Sequence, residues 1–260
     1  MTRYALGIEY DGSQFCGWQV QSGVETVQEA IERALGAVAN HSTRVVTAGR
    51  TDTGVHATGQ VIHFDSASRR TLNSWIRGVN SNLPAGVVVT WAKEVSPSFH
   101  ARFCARARSY RYIILSRPVR PTILARRVTW THQLLNVQAM RSAAKDLLGQ
   151  HDFSAYRSVH CQSRQPIRSI HHFAVGQSGA WTWFDIQADG FLHHMVRNIA
   201  GVLMPIGAEE KAPSWAREVL MSRERSHAGV TAPAGGLYLS RVDYPEHFDI
   251  PSPTDPISFW

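Results

Sequence analysis

The stretch from Ala48 to Ala57 reads AGRTDTGVHA, and it holds Arg50, Asp52 and His56 among glycines and small hydroxyl residues. A strand-like run, Arg44 to Thr47, leads into this stretch, and a second, Gly59 to Phe64, leads away from it. The sequence therefore predicts a charged, glycine-bracketed loop where two strands meet, a common location for functional residues. The alternative is a tight turn in which Asp52 caps its own backbone, as aspartate often does.

The composition of the chain limits the class of protein. Its 260 residues, 43% hydrophobic and 18% charged, are typical of a globular protein with one large or two medium domains. Because no run is apolar enough to span a bilayer and the N-terminus lacks a signal core, we expect a cytoplasmic protein without a membrane partner. The three cysteines form no CxxC, and neither HExxH, GxGxxG nor a P-loop occurs, so neither a metal nor a cofactor is expected.

The positive charge of the chain is unevenly distributed. The net charge is +7, and no acidic residue occurs between Glu94 and Asp146, where ten cationic side chains lie. Such a one-signed segment repels itself unless a polyanion neutralises it, and the planar guanidinium of arginine suits phosphates and bases. The alternative is a basic surface that serves solubility alone. The pattern favours a nucleic acid partner, and the candidate RNA contacts are Arg102, Arg106, Arg108 and Arg111.

Hydrophobic periodicity predicts an α+β fold. Residues 1 to 94 read as β-α-β-β-α-β, with Thr26 and Glu29 at capping-box spacing before the first helix. The second half is predicted to echo the first, and its expected elements are a strand over Ser109 to Ser116, a helix from Val137 capped by Asn136 and stopped by Gly149, a hairpin of Ile167 to Val175 with Trp181 to Ala188, a helix over Phe191 to Pro205 and a final strand over Leu237 to Val242. The predicted domains are residues 1–106 and 107–245, followed by a peripheral, proline-rich tail at 246–260.

The helix predicted from Phe191 contains one formal charge, Arg197, within an apolar surround. A buried guanidinium without a carboxylate partner costs several kcal/mol, in order of magnitude. We infer Asp52 as that partner, although the sequence shows only that an acid is needed. The alternative is that Arg197 extends to solvent, as long side chains can.

These parts permit a specific chemistry on RNA. A guanidinium beside Asp52 would favour its ionised form, which can act as a nucleophile or base without a metal. A target base within a helix must first be extruded, which requires a side chain to fill the gap and an aromatic ring to receive the base. Arg50 and Tyr110 are the candidates for these two roles. The alternative for Tyr110 is an ordinary core tyrosine on a strand.

Motifs along nearly the whole chain resemble one known family, the bacterial tRNA pseudouridine synthase A family. The matching stretches are YDGSQFCGWQ at Tyr10 to Gln19, GRTDTGVHA at Gly49 to Ala57, GQVIHF at Gly59 to Phe64, FHARF at Phe99 to Phe103, YRY at Tyr110 to Tyr112, HDFSAY at His151 to Tyr156, FLHHMVRNIAG at Phe191 to Gly201 and TAPAGGLYL at Thr231 to Leu239. The chain departs from the family pattern at Thr53, where alanine is frequent, and at His193, where tyrosine is common.

The resemblance implies an isomerase that converts uridine to pseudouridine at positions 38, 39 and 40 in the anticodon arm of tRNA. It implies Asp52 as the catalytic nucleophile, which attacks the ribose or otherwise opens the N-glycosidic bond, and Arg197 as the residue that positions it. It also implies Tyr110 stacked on the uracil, where it could take the C5 proton, and Arg50 inserted into the RNA during base flipping. It further implies a homodimer without metal or organic cofactor, and two pseudo-related halves whose sheets join around a central basic cleft. Two rival functions remain open: a non-catalytic RNA-binding protein, and a nucleoside hydrolase or glycosylase that releases free uracil.

Overall fold

The computed structural model of the protein describes residues 1–253 and 257–260. Its chain divides into two compact units, one of Met1–Arg108 with Tyr238–Ile257 and the other of Ser109–Leu237 with Ser258–Trp260. The domain boundaries inferred from the sequence, 1–106, 107–245 and 246–260, stay a prediction. Residues 254–256 of the predicted tail lie outside the described residues.

The first unit contains a sheet in the strand order β4-β1-β3-β10, with β2 added on β3. Its strands are β1 (Thr2–Tyr10), β2 (Val46–Thr47), β3 (His56–Ser66), β4 (Val87–Val95) and β10 (Leu237–Asp243, of which Leu237 belongs to the second unit). Strand β1 runs antiparallel to both β3 and β4, while β10 runs parallel to β3 and places Tyr238 opposite His56. The loop with Asp52 therefore lies between β2 and β3, as the sequence predicts.

Two capped helices accompany this sheet, α1 (Val27–Ala39) and α2 (Leu72–Asn80). The side chain of Thr26 accepts a hydrogen bond from the N–H of Glu29, so the capping role predicted for Thr26 is confirmed. Helix α2 packs against α1 and β4. The core of the unit includes an aromatic cluster in which Trp75 lies 5.3 Å from Tyr4 and 5.1 Å from Phe64, measured between ring centroids.

The second unit contains the strand order β5-β9-β8-β7, with β6 parallel to β5. Its strands are β5 (Ala107–Ser116, of which the first two residues belong to the first unit), β6 (Thr129–Thr131), β7 (Gly149–Asp152), β8 (Ile167–Ser178) and β9 (Trp181–Ala188). Strands β8 and β9 pair antiparallel, so the predicted hairpin is confirmed. The short strands β6 and β7 were not predicted, because three or four residues are too few to establish an alternating pattern.

The helices of the second unit are α3 (Val137–Lys145), α4 (Met195–Gly207) and α5 (Trp215–Ser222). Asn136 caps α3 through a bond from the N–H of Ala139, as predicted. Both units combine helices with strands that pair mostly antiparallel, so the predicted α+β fold class is confirmed.

Two predicted helix boundaries in the second unit are wrong. Helix α4 begins at Met195 rather than at Phe191, because His194 has a φ of 62°, a left-handed conformation that a right-handed helix cannot include. Helix α3 ends at Lys145, four residues before the predicted stop. Gly149, with a φ of 90°, instead opens β7.

The C-terminal segment was predicted to be peripheral, and its aromatic residues nevertheless pack. In the first unit, Phe248 lies edge-on to Phe99, with 5.2 Å between the ring centroids. In the second unit, Trp260 stacks on Trp183 with 4.1 Å between the centroids. A proline-rich sequence without periodicity gave no signal for these contacts, which depend on single side chains.

Candidate functional site

Residues 48–55, here called the aspartate loop, connect β2 to β3 in the first unit. The N–H of Val55 donates to the carbonyl of Asp52 at 3.1 Å, and Gly54 has a φ of 80°, so the loop turns tightly after the aspartate. Asp52 is half-buried and Arg50 is exposed. The loop thus presents a carboxylate partly shielded from water and, two residues earlier, a guanidinium that extends into solvent.

Hydrogen bonds from Tyr10 of β1 and Gln60 of β3 hold the aspartate loop. The hydroxyl of Tyr10 lies 2.7 Å from that of Thr51, the residue between Arg50 and Asp52. The amide nitrogen of Gln60 donates to the carbonyl of Gly49 at 2.6 Å. Burial raises the pKa of Tyr10 to about 12, so its hydroxyl stays protonated at neutral pH. These contacts fix the backbone on both sides of Arg50.

The segment after β1 also approaches the aspartate loop closely. The N–H of Trp18 donates to the carbonyl of Thr51 at 3.0 Å. Gly17 has a φ of 83°, and a side-chain carbon there would lie 3.0 Å from the same carbonyl oxygen. Gly12 is tighter still, because a side-chain carbon would lie 1.9 Å from the carbonyl oxygen of Val55. Glycine is therefore required at Gly12 for space and at Gly17 for backbone conformation.

The four arginines predicted to contact RNA have different environments. Arg102 and Arg106 are exposed. The guanidinium of Arg108 is half-buried and donates to the carbonyls of Ala48 and Arg102, at 2.9 and 2.7 Å from Nη2. Arg108 therefore ties the start of the aspartate loop to the segment that carries Arg102.

Arg111 is the most enclosed of the four, with 7% of its surface exposed. It forms a two-point ion pair with Asp185 of β9, with both nitrogen–oxygen distances 2.7 Å. Its guanidinium also lies 5.7 Å from the centroids of Trp183 and Trp260. This environment gives Arg111 a structural role, and its predicted contact with RNA stays a prediction.

Tyr110 and Arg197 belong to the second unit. Tyr110 on β5 is 8% exposed and meets Phe191 edge-on, with 5.0 Å between the ring centroids. Arg197 is half-buried in the first turn of α4, and its Nε donates to the carbonyl of Ala232 at 2.9 Å. The N–H of Ala232 donates in return to the carbonyl of Arg197 at 3.1 Å. The pairing of Arg197 with Asp52 stays a prediction.

Residues 228–236, here called the proline loop, form the support of Arg197. Tyr112 donates its hydroxyl hydrogen to the carbonyl of Pro233 at 2.9 Å, and Asn198 accepts from the hydroxyl of Thr231 at 2.7 Å. Gly201 permits the close approach of this loop to α4, because a side-chain carbon there would lie 1.9 Å from the carbonyl oxygen of Val230.

Sequence reasoning did not identify the residues that brace these loops. Gln60 is a fully buried polar residue on β3, and Asn198 is a fully buried polar residue on α4. Buried polar groups are normally hydrogen-bonded, so a polar residue at an apolar position was the available signal. Tyr10 gave no such signal, because tyrosine is common in strands.

The chain matches a family model described as tRNA pseudouridine synthase over residues 7–104 and 143–245. It is 55% identical to the tRNA pseudouridine synthase A of Nitrosococcus oceani over 258 residues, which cover 99% of this chain and 100% of that relative. It is also 55% identical to the protein of the same name from Alcanivorax borkumensis, covering 96% of this chain and 94% of that one. For the Pseudomonas aeruginosa protein the identity is 53%, with 96% and 88% covered.

These matches cover both units and include the aspartate loop and the first turn of α4. The class is thus that of RNA-modifying synthases, and the chain belongs to the tRNA pseudouridine synthase family. The family predicted from the sequence motifs is confirmed. In the part of the chain that the structure describes, no helix combines the length and apolar character needed to cross a bilayer.

Proposed function

We propose that this protein isomerises uridine to pseudouridine in the anticodon arm of tRNA, at positions 38 to 40. The main support is that the chain is 55% identical, over the full length of that relative, to a protein named tRNA pseudouridine synthase A. The aspartate loop is also held on both sides of Arg50, by hydrogen bonds to Thr51 and Gly49. The acid-free span from residue 95 to 145 supports a polyanionic substrate.

The proposed reaction leaves the composition of the nucleotide unchanged, although the C5 hydrogen is exchanged for one from solvent. Asp52 acts as the nucleophile: its carboxylate forms a bond to C1′ of the ribose while the bond between C1′ and N1 breaks, and the electron pair of that bond stays on the uracil. The freed base turns, and its C5 bonds to C1′ as the bond from C1′ to the Asp52 carboxylate breaks. The C5 proton then leaves to solvent, and N1 takes up a proton. No electron is transferred to or from another molecule, so the reaction requires no redox cofactor, and the family resemblance implies neither an organic cofactor nor a metal.

Each candidate side chain has one role in this proposal. Arg50 enters the RNA stack as the uridine leaves it, because it is exposed two residues before Asp52. Tyr110 stacks on the extruded uracil, with Phe191 supporting its ring. Arg197, which is fixed by Ala232, holds the Asp52 carboxylate.

Among the four basic candidates, Arg102 and Arg106 are the stronger phosphate contacts because both are exposed. Arg108 and Arg111 are the weaker candidates, because they donate to carbonyls and to Asp185 respectively. The family resemblance further supports a cytoplasmic homodimer and the domain division at residues 106 and 245.

The test follows tritium release from a tRNA transcript that carries C5-tritiated uridine, with wild-type protein and Asp52→Asn. We expect release from wild type without free uracil, and a loss of roughly 10⁴-fold or more in the variant, because the reaction loses its nucleophile. Binding of tRNA by the variant should be retained, because asparagine has nearly the same shape as aspartate.

The rival functions predict different results in the same assay. A nucleoside hydrolase or glycosylase would release free uracil and leave abasic RNA. A non-catalytic RNA-binding protein would bind the transcript and release neither tritium nor uracil. Tritium release that is independent of Asp52 would contradict the role of this residue.

A further inference from the structure

Phe103 is an ordered aromatic side chain on the surface of the first unit, with 75% of its area exposed. Its backbone N–H donates to Nδ1 of His100 at 3.1 Å. The two rings are stacked, with centroids 4.3 Å apart and planes at 24°. One scattered exposed apolar residue needs no explanation, but this one is held in place by its neighbours.

The turn that carries Phe103 is anchored in the core. Phe99 is fully buried, and Ala101 donates its N–H to Nδ1 of His63 at 3.0 Å. The carbonyl of Ala101 accepts from the hydroxyl of Tyr244 at 2.6 Å. Arg3 donates to the carbonyl of Phe99 at 2.9 Å. The segment before Phe103 is therefore fixed by side chains from several elements of the same unit.

The same turn is tied to the aspartate loop. Nη2 of Arg108 donates both to the carbonyl of Arg102, next to Phe103, and to the carbonyl of Ala48, four residues before Asp52. Because one guanidinium bonds both segments, the position of Phe103 is coupled to that of the loop.

The charge beside Phe103 indicates the kind of partner. Cζ of Arg102 lies 5.4 Å from the centroid of the Phe103 ring, and no acidic residue occurs from 95 to 145. An exposed aromatic ring next to a guanidinium is the combination that binds an unpaired base together with its phosphate. A partner surface of apolar protein would leave this cation desolvated without compensation.

We infer that Phe103 is a stacking platform for an unpaired base of the RNA substrate, with Arg102 binding the neighbouring phosphate. The inference rests on the proposed function, because it takes tRNA as the substrate. Through Arg108, the platform would hold one unpaired nucleotide at a set distance from Asp52 and so help to decide which uridine reaches the carboxylate.

The test compares Phe103→Ala, Phe103→Leu and Phe103→Trp in equilibrium binding of an unmodified anticodon stem-loop and in tritium release. Stacking on one base is worth about 5- to 140-fold in affinity, from about 1–3 kcal/mol at 1.4 kcal/mol per tenfold. We expect the affinity of Phe103→Ala to fall within this range. The affinity of Phe103→Leu should also fall, because leucine keeps apolar area but has no π-face, and that of Phe103→Trp should stay at the wild-type level. Ile123→Ala is the matched control, since Ile123 is 86% exposed in the same acid-free span, and its affinity should stay within about twofold of wild type.

The outcomes separate the inference from the proposed function. Unchanged affinity in Phe103→Ala, or wild-type affinity in Phe103→Leu, would overturn the platform. A change in sedimentation of Phe103→Ala with unchanged RNA affinity would overturn it in favour of a contact with a second copy of the chain. If wild type releases no tritium while Phe103→Ala still binds RNA more weakly than wild type and Phe103→Trp, the isomerase proposal fails and the platform stands.

Discussion

The aspartate loop and the proline loop are supported by similar hydrogen bonds, but only the aspartate loop carries charged side chains. Each receives a tyrosine hydroxyl, from Tyr10 in the first unit and Tyr112 in the second. Each also contacts a buried amide side chain, from Gln60 and Asn198 respectively. The aspartate loop presents charged side chains of its own, whereas residues 228–236 contain none.

This difference shows two ways to fix a charged side chain of the candidate site. In the first unit the charged residues are on the loop, so the bracing network must hold the loop itself. In the second unit the charged residue, Arg197, is on a helix, and the loop supplies a carbonyl that orients it. A precise position for Arg197 therefore depends on a backbone contact that lysine cannot reproduce.

The largest effect expected from testing this comparison is that of Arg197→Lys. The variant keeps the charge but loses the Nε bond to Ala232, and a misplacement of about 1 Å near reacting groups costs about 100-fold in rate. We expect kcat to fall by about that factor with little change in KM, as measured by steady-state tritium release over a range of tRNA concentrations. Arg217→Lys, at an exposed position on α5, is the control. A wild-type kcat in Arg197→Lys would show that the bond from Arg197 to Ala232 does not matter for the rate.

Removing the hydroxyl that braces the aspartate loop should have a smaller effect. Tyr10→Phe leaves the buried hydroxyl of Thr51 without this partner, which costs about 1–3 kcal/mol of stability. We expect kcat to fall roughly tenfold, less than the ~100-fold of a full misplacement. Tyr156→Phe is the matched control, because it also removes a buried bond, to the carbonyl of Ala216. An equal loss of kcat in both variants, at equal loss of stability, would show that the effect is not specific to the loop.

Much of the fold could be predicted from local sequence, as the caps of α1 and α3 and the β8–β9 hairpin demonstrate. The start of α4 could not, because His194 adopts a left-handed backbone that the apolar periodicity of this segment does not signal. The same division holds for the candidate site. The motif predicted the aspartate loop, but the bracing by Tyr10 joins residues 41 positions apart, which no local pattern reveals.

Alanine substitutions at two glycines can show whether the close contact between the segment after β1 and the aspartate loop affects the rate. Gly17 and Gly23 both have positive φ, 83° and 78°, but only Gly17 lies against the loop, while nothing lies within 4 Å of a side-chain carbon at Gly23. Alanine at either position should cost about 1–2 kcal/mol in the free energy of unfolding. Only Gly17→Ala should also lower kcat, by a few-fold. Equal kcat in the two variants would mean that this approach does not affect the loop.

The last expected effect is on stability rather than on rate, and it concerns pH and the turn that carries Phe103. Burial, together with the charge of Arg3, lowers the pKa of His63 from 6.5 to about 4. The unfolded chain then binds a proton more readily, so the stability due to neutral His63 is complete above pH 6.5 and is lost as the pH falls towards 4. Urea unfolding at pH 7.5 and 5.0 should show a smaller decrease for His63→Gln than for wild type. Equal decreases in the two proteins would contradict this role.

The ion pair of Arg111 with Asp185 has a consequence for ionic strength. Association with RNA releases counterions in proportion to the number of phosphates that are neutralised. A guanidinium already balanced by a carboxylate contributes little to that release. The logarithm of the affinity should therefore fall with the logarithm of salt concentration less steeply than the ten cations between Glu94 and Asp146 would suggest.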